Sequence, residues 1–227
     1  MKKVAVLQSN YIPWRGYFDM INYVDEFIIF DDMQYTKRDW RNRNKIKTSH
    51  GAIWLSIPVM VKGKFLQKIR ETEIMSDNWA EQHWKAIELN YKKASHFDEI
   101  ASLLKPLYLK SYRTITDVNL SFIEAINDYL GISTKISFSW DYFLENEKSA
   151  RLASLVEQSN GTHYISGPAA KNYLDPEPFA ARNLSIEWFS YEGYKDYKQL
   201  WGEFNGAVSI IDLLLNHGKE SMNFISK

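Results

Sequence analysis

Two apolar runs of four residues lie within the first thirty positions and frame one stretch of helical spacing. Val4 to Leu7 has the length and composition of a buried strand. Tyr17, Ile21 and Val24, with Met20 beside them, fall at i, i+4 and i+7, which is one face of a helix about three turns long. Phe27-Ile28-Ile29-Phe30 follows and ends at Asp31-Asp32. Strand, helix and strand in so short a span predict a βαβ unit with parallel strands and a right-handed crossover. That unit commits the chain to an α/β fold with a mainly parallel sheet.

The rest of the chain continues the alternation. Ile53 to Val59 alternates apolar and polar residues as a strand does, with Pro58 marking its end or an edge. Lys62-Gly63-Lys64 reads as a turn and Ile69 to Met75 as the returning strand, so a β-excursion is expected over 53–75. From Trp79 to Leu130 the spacing is helical, with breaks near Ser95 and Arg113 and a C-cap at Gly131. Strands are expected at Lys135 to Trp140, His163 to Ser166 and Leu184 to Phe189, and helices at Lys148 to Gln158 and Val208 to Leu215. The expected organisation is one α/β domain over residues 1–227, with flanking helices and a helical insertion in the middle.

Composition narrows the function classes. Hydrophobic residues are 45% of the 227 and aromatics 15%, enough for a sizeable core, which argues against disorder. The 8 Trp, 14 Tyr and 12 Phe serve either as core or as walls of a cleft that stacks planar rings or sugar faces. Formal net charge is zero, so strong non-specific binding to nucleic acid is not expected. No cysteine is present, which excludes disulfides, thiol catalysis and thiolate metal sites. The N-terminal apolar run is too short for a signal peptide and no run is long enough to span a membrane, so a soluble cytoplasmic protein is expected.

Three segments carry the candidate chemistry. The first is Gln8-Ser9-Asn10-Tyr11-Ile12-Pro13-Trp14-Arg15-Gly16, a polar and aromatic loop between the first strand and the first helix. Open α/β folds build ligand sites there: Gly16 would admit a ligand to the backbone, the helix N-terminus offers N–H groups, and Arg15 a phosphate contact. A tight turn shaped by Pro13 and Gly16 is the other reading.

The second segment, Asp31 to Lys47, leaves the second strand at the same sheet edge, so the two loops should meet. Between Lys37 and Lys47 it holds six Lys or Arg against one Asp. Asp31 or Asp32 would hold Mg²⁺ or a ribose hydroxyl, and Arg38, Arg41 and Arg43, with Lys37 and Asn42, suit phosphate contacts. A solvated basic loop with Asp39 as counter-ion is the alternative. So is an RNA-binding patch in which Trp40 and Tyr35 interleave with the bases.

The third segment, Thr162 to Tyr173, runs from a strand through Ser166-Gly167-Pro168 into a helix. Ser166 is placed to cap it and Lys171 to face the same spot, as a second phosphate cradle or as an ordinary capped helix. The five histidines show no metal spacing. His163 is the best acid/base candidate, because it adjoins the Ser-Gly-Pro turn.

Taken together, Gln8 to Asp19, Asp31 to Tyr35 with Lys37-Arg38, Arg41 to Lys47, Tyr164 to Gly167, Glu187-Trp188 and Ser209 to Leu214 resemble the WbqC-like protein family over nearly the whole chain. The resemblance implies work on sugar nucleotides or lipid-linked sugars in bacterial cell-surface polysaccharide and O-antigen biosynthesis. A weaker, architectural resemblance is to the nucleotidylyltransferase and pantothenate-synthetase-like folds, a Rossmann-like core. Their His-x-Gly-His signature is replaced here by Pro13-Trp14-Arg15-Gly16-Tyr17, which implies nucleotide binding with different chemistry.

The expectation is therefore a nucleotide- or sugar-nucleotide-dependent transferase of acyl, aminoacyl or nucleotidyl groups, with Mg²⁺ as a possible companion of the nucleotide. Asp31, Asp32, Arg38 and His163 are its candidate catalytic residues. Gln8, Asn10, Tyr11, Pro13, Trp14, Arg15, Gly16, Gln34, Tyr35, Lys37, Arg41, Asn42, Arg43, Ser166, Gly167 and Lys171 are its candidate binding residues. A glycosyltransferase of the same pathway and a non-catalytic sugar-nucleotide-binding or scaffold protein are the alternatives.

Overall fold

A computed structural model describes residues 1–225. Five strands form one sheet: β1 (Lys3–Leu7), β2 (Glu26–Ile29), β5 (Lys135–Phe138), β6 (His163–Ser166) and β7 (Ser185–Trp188). Their order is β5-β2-β1-β6-β7 and every pairing is parallel. The architecture is α/β.

Side chains that alternate along a strand separate the core into two layers. Ala5 of β1 and Phe27 and Ile29 of β2 join the larger cluster with Phe18, Met20 and Ile21 of helix α1 (Arg15–Tyr23). Val4, Val6 and Ile28, with Phe30, join a second cluster with Ala153, Leu155 and Val156 of helix α5 (Lys148–Gln158). The two helices that cross over from β1 and β5 therefore cover opposite faces of the sheet. Where strands on either side of β1 are reached by helices on opposite faces, the carboxyl ends of β1 and β6 open a crevice.

Three helices lie between β2 and β5: α2 (Asn78–Tyr91), α3 (Phe97–Tyr108) and α4 (Ile115–Leu130). Their breaks fall where Ser95 and Arg113 place them. Thr114 Oγ1 accepts from the Asp117 N–H while Asp117 accepts from the Thr114 N–H, a capping box, and Gly131 closes α4 at φ 73°. The helices bury Trp79, Ile87, Ile100, Leu104, Phe122 and Ile126 in the larger cluster.

The β-excursion meets the expectation at residues 53–56 but pairs with the segment before it rather than the one after. Strands β3 (Arg43–Thr48) and β4 (Gly51–Ser56) form an antiparallel hairpin, so the basic segment is half strand rather than loop. Ile69 to Met75 is not a returning strand. Ile69–Glu71 is a single 3-10 turn, and Ile74 only bridges to Val59. The Arg70 N–H donates to the Asp31 carbonyl and the Ile69 N–H to that of Met33, so this stretch is tied to the loop after β2. Helix α6 (Ile210–His217) buries Ile211, Leu213, Leu214 and Leu215. Residues 189–209 before it hold no helix or strand. No helix among the described residues is long and apolar enough to cross a membrane.

Candidate functional site

The loops after β1 and β2 meet at the carboxyl edge of the sheet, as the βαβ unit requires. Arg41 is the joint. Its guanidinium donates to Gln8 Oε1 at 2.9 Å and to Asn10 Oδ1, and Asp39 lies 3.6 Å away. Below it, Asp31 is fully buried and accepts from the Ser9 N–H at 2.8 Å, Ser9 Oγ at 2.6 Å and Thr116 Oγ1 at 2.7 Å. Asn119 of α4 donates to Ser9 Oγ at 2.9 Å and to the Arg41 carbonyl at 3.0 Å. Helix α4 is thereby pinned to the strand ends. Burial pushes the Asp31 carboxyl up from the usual range, against the pull of Ser9, Thr116 and Arg41.

Two cavities flank this joint. The first, of about 510 Å³, is the crevice between the ends of β1 and β6. Gln8, Ser166 and Gly167 line it from the strand ends, Lys148 and Arg151 from the start of α5, and Tyr191 from the irregular segment. Arg151 is held in place by its own bonds to the Asn146 carbonyl at 2.6 Å and to that of Glu145 at 2.5 Å. Lys148 is exposed and has no ion-pair partner among the described residues. The second cavity, of about 460 Å³, lies on the other side of Arg41 between Asn10, Trp14, Trp40 and Ala207. Trp14 and Tyr191, with ring centroids 5.2 Å apart, separate the two.

Several expected contacts are structural instead. Tyr11 is fully buried, and its hydroxyl bonds His83 Nδ1 and the Tyr108 hydroxyl, each at 2.9 Å. Burial drives His83 down to about 4, so this trio is neutral core. Gly16 does not open the backbone to a ligand. A Cβ there would lie 2.4 Å from the Trp14 ring, so the glycine exists to let that ring pack. Arg15 donates to the Lys195 carbonyl at 2.7 Å and stacks its guanidinium on Tyr194. Asn42 donates to the Ile57 carbonyl, Arg43 lies over Trp54, and Tyr35 is buried with its hydroxyl pushed up to about 12 by burial.

Asp32 is bound by Lys68 Nζ at 2.7 Å, Arg70 Nε at 2.9 Å and Ser139 Oγ at 2.8 Å, and lines neither cavity. Burial pushes its carboxyl up, but Lys68, Ser139 and Arg70 outweigh that and hold it low. A divalent cation needs carboxylate oxygens free to coordinate it. Asp31 and Asp32 both have theirs engaged, so the pair does not fit Mg²⁺. No group of three or more His, Asp or Glu among the described residues is placed to hold a metal.

The structure places His163 away from the Ser-Gly-Pro turn. It is the first residue of β6, in register with Lys3 and Ser185, and its Nδ1 meets Thr162 Oγ1. It stands at the amino edge of the sheet, a strand's length from Ser166. Ser166 makes no capping bond to the 3-10 turn Pro168–Asn172, whose N-cap is Gly167. The Lys171 ammonium lies 5.7 Å over Trp188 rather than in the crevice. Gln34 bonds the Phe65 carbonyl, while Lys37 and Arg38 are exposed, Arg38 at φ 58°. Of the expected residues, the structure brings together Gln8, Asn10, Pro13, Trp14, Arg15, Arg41, Ser166 and Gly167.

Lys148, Arg151, Tyr191 and Ala207 complete the cavities and were not foreseen. A signal existed for the first two: a helix that follows a parallel strand starts at that strand's carboxyl edge, where sites are built. None existed for Tyr191 or Ala207, which no periodicity marks.

The motifs that meet here are also what relates this chain to known sequences. No solved structure matches it. A protein of Mycobacterium tuberculosis (strain ATCC 25618 / H37Rv), called Uncharacterized protein Rv1507c, is 57% identical over 226 residues, covering 99% of this chain and 98% of its own length. The model of the WbqC-like protein family matches residues 8–224, a span that takes in both loops, the helical region, the second cavity and all of the crevice lining but Val6 and Leu7. The chain belongs to the WbqC-like protein family.

Proposed function

We propose that the chain binds a nucleotide-activated substrate, a sugar nucleotide, in the crevice between β1 and β6 and serves as a transferase of acyl, aminoacyl or nucleotidyl groups in bacterial cell-surface polysaccharide biosynthesis. The observation that carries this is the crevice itself: about 510 Å³ at the point where strand order reverses. Doubly wound sheets take nucleotides at that point, and the volume lies in the range of small-molecule sites. Lys148 offers an ion-pair-free cation at its wall, and Gln8 and Ser166 offer neutral hydrogen-bonding groups. The nucleotidylyltransferase-like, Rossmann-like character expected from the sequence belongs to the same reading.

One observation favours a second reading. Neither a carboxylate nor an imidazole is among the described residues lining the crevice. Catalysis there would rest on positioning and charge stabilisation. A protein that binds sugar nucleotides without turning them over would need no more.

Calorimetric titration with UDP-, GDP- and dTDP-sugars, ATP and CTP tests the binding. Lys148→Ala should weaken the nucleotide by about tenfold, ~1.4 kcal/mol. Gly167→Ala adds a methyl that meets nothing nearer than Tyr191 at 3.5 Å, so it should fold normally and weaken only a ligand that approaches this backbone. Affinity unchanged in both variants would remove the nucleotide from the crevice. Binding without product from any acceptor would select the second reading.

A further inference from the structure

The second cavity has no part in nucleotide binding as proposed, yet it is as large and as well built as a ligand site. Two tryptophans stand in its wall. Trp14 lies over Gly16 with its ring held against Tyr191 and Tyr194. Trp40 is 45% exposed at the rim, its ring backed by Trp54 at 5.4 Å between centroids and otherwise open beside the hollow. The backbone just before Trp14 is strained. Ile12, β-branched and fully buried, sits at φ 38°, and Asn44 Nδ2 clamps it by donating to the Tyr11 and Ile12 carbonyls. Such a conformation persists only where its surroundings enforce it, and it collects at ligand sites.

The charge pattern narrows the ligand. No acid lines the cavity. The one cation among the described residues lining it, Arg15, is already tied to the protein: Nη1 donates to the Lys195 and Phe224 carbonyls and the guanidinium plane lies on Tyr194. What remains for a ligand is modest and directional. Asn10 Oδ1 accepts from Arg41, and its Nδ2 makes no bond among the described residues.

From these residues we infer that the second cavity is a subsite for a neutral glycosyl ring, the acceptor that faces the nucleotide across Arg41. The inference rests on the nucleotide reading of the crevice for the word acceptor, and on the cavity alone for the ring. A pyranose has an apolar C–H face for Trp40 or Trp14 and hydroxyl oxygens that accept from Asn10 Nδ2. Arg41 is a positioning residue: it fixes Gln8 of one cavity and Asn10 of the other with a single guanidinium.

The test is saturation-transfer NMR with the methyl glycosides of glucose, galactose, mannose, rhamnose and N-acetylglucosamine at millimolar concentration. It is run on the full chain, on Trp40→Ala and on Ala207→Trp, which fills the cavity from its exposed rim. Circular dichroism checks that both variants fold, and each is also titrated with the nucleotide that binds best. At least one glycoside should show transfer to its ring C–H protons, lost in both variants, with nucleotide affinity unchanged. No transfer from any glycoside, transfer that survives both variants, or displacement by a free nucleoside would overturn the inference. Glycosides silent while nucleotide binds would sink this subsite alone. Glycosides bound while no nucleotide binds would sink the crevice reading and leave the ring site standing.

Discussion

The two edges of the sheet handle charge in opposite ways. At the amino edge, Glu26 opens β2 and is fully buried. Lys2 reaches it at 2.7 Å, Lys135 at 3.1 Å, Ser137 Oγ at 2.6 Å and the Tyr142 hydroxyl at 2.9 Å. Burial works against its ionisation, but these four partners prevail and hold the carboxyl at about 2. At the carboxyl edge, five residues along the same strand pair, Asp31 is surrounded by hydroxyls and one backbone N–H, and burial wins. The one cation near it, Arg41, is turned to the amides of Gln8 and Asn10. One edge is sealed by mutually satisfied charges. The other keeps Lys148 and Arg151 beside the open crevice, which is what the proposed site for an anionic ligand needs.

Breaking the sealed edge should have the largest effect. Glu26→Ala leaves two ammonium groups and two hydroxyls around an empty carboxylate position and should cost about 3 kcal/mol, near the lower end for broken buried pairs because Lys2 and Lys135 reach water. Urea denaturation at neutral pH measures it. The same residue sets an acid limb. Its folded pKa, about 2, lies below the ordinary 4.5, so its contribution is complete above 4.5 and is lost as pH falls from there through about 2. A plot of urea midpoint against pH should slope in that window for the native chain and flatten there in Glu26→Gln. An unchanged slope would mean that the edge is held by packing and not by charge.

Asp31→Asn tests the other edge and should cost less, about 2 kcal/mol, because one oxygen still accepts from the Ser9 N–H while the amide faces the Ser9 and Thr116 hydroxyls. The informative part is where the loss shows. Asp31 joins the loop after β1 to α4 through Ser9, Thr116 and Asn119. Hydrogen exchange should therefore rise at residues 8–12 and in the first turn of α4, with the β1–β2 ladder still protected. Exchange spread evenly over the sheet would make Asp31 an ordinary core residue.

The two edges were not equally readable in the sequence. The βαβ unit was legible to within a residue or two because its apolar runs are continuous and its helix has one apolar face. The meeting of Gln8, Asn10 and Arg41 followed from parallel pairing alone. The first strand of the hairpin, β3, is hidden in the sequence because, of the side chains it buries, only Ile46 is apolar; Asn44, Lys47 and Thr48 are polar. Periodicity reads hydrophobicity, and here the inward face is held by hydrogen bonds, such as Lys47 Nζ to Gln199 at 2.6 Å. Ile69 to Met75 erred the other way, with strand-like residues that the loop after β2 ties into a 3-10 turn. Asp31 and Asp32 could be placed at the strand end from sequence, but their burial and partners come from α4 and from the segment around Lys68, which no local pattern announces.

His163 shows how that gap misleads, and it supplies the smallest expected effect. Three positions from Ser166 in sequence, it seemed to adjoin the crevice. A strand advances about 3.3 Å per residue, so β6 carries it roughly 10 Å away, to the sealed edge. There it is half-buried and meets Thr162 Oγ1, a contact that water can replace. His163→Ala should therefore change stability by no more than about 0.5 kcal/mol, as surface substitutions do. Nucleotide affinity and any transfer rate should stay at the native value across the pH range in which histidine titrates. A lost pH dependence on this change would place an acid/base group at the amino edge, and the contrast between a sealed and an open edge would have to be abandoned.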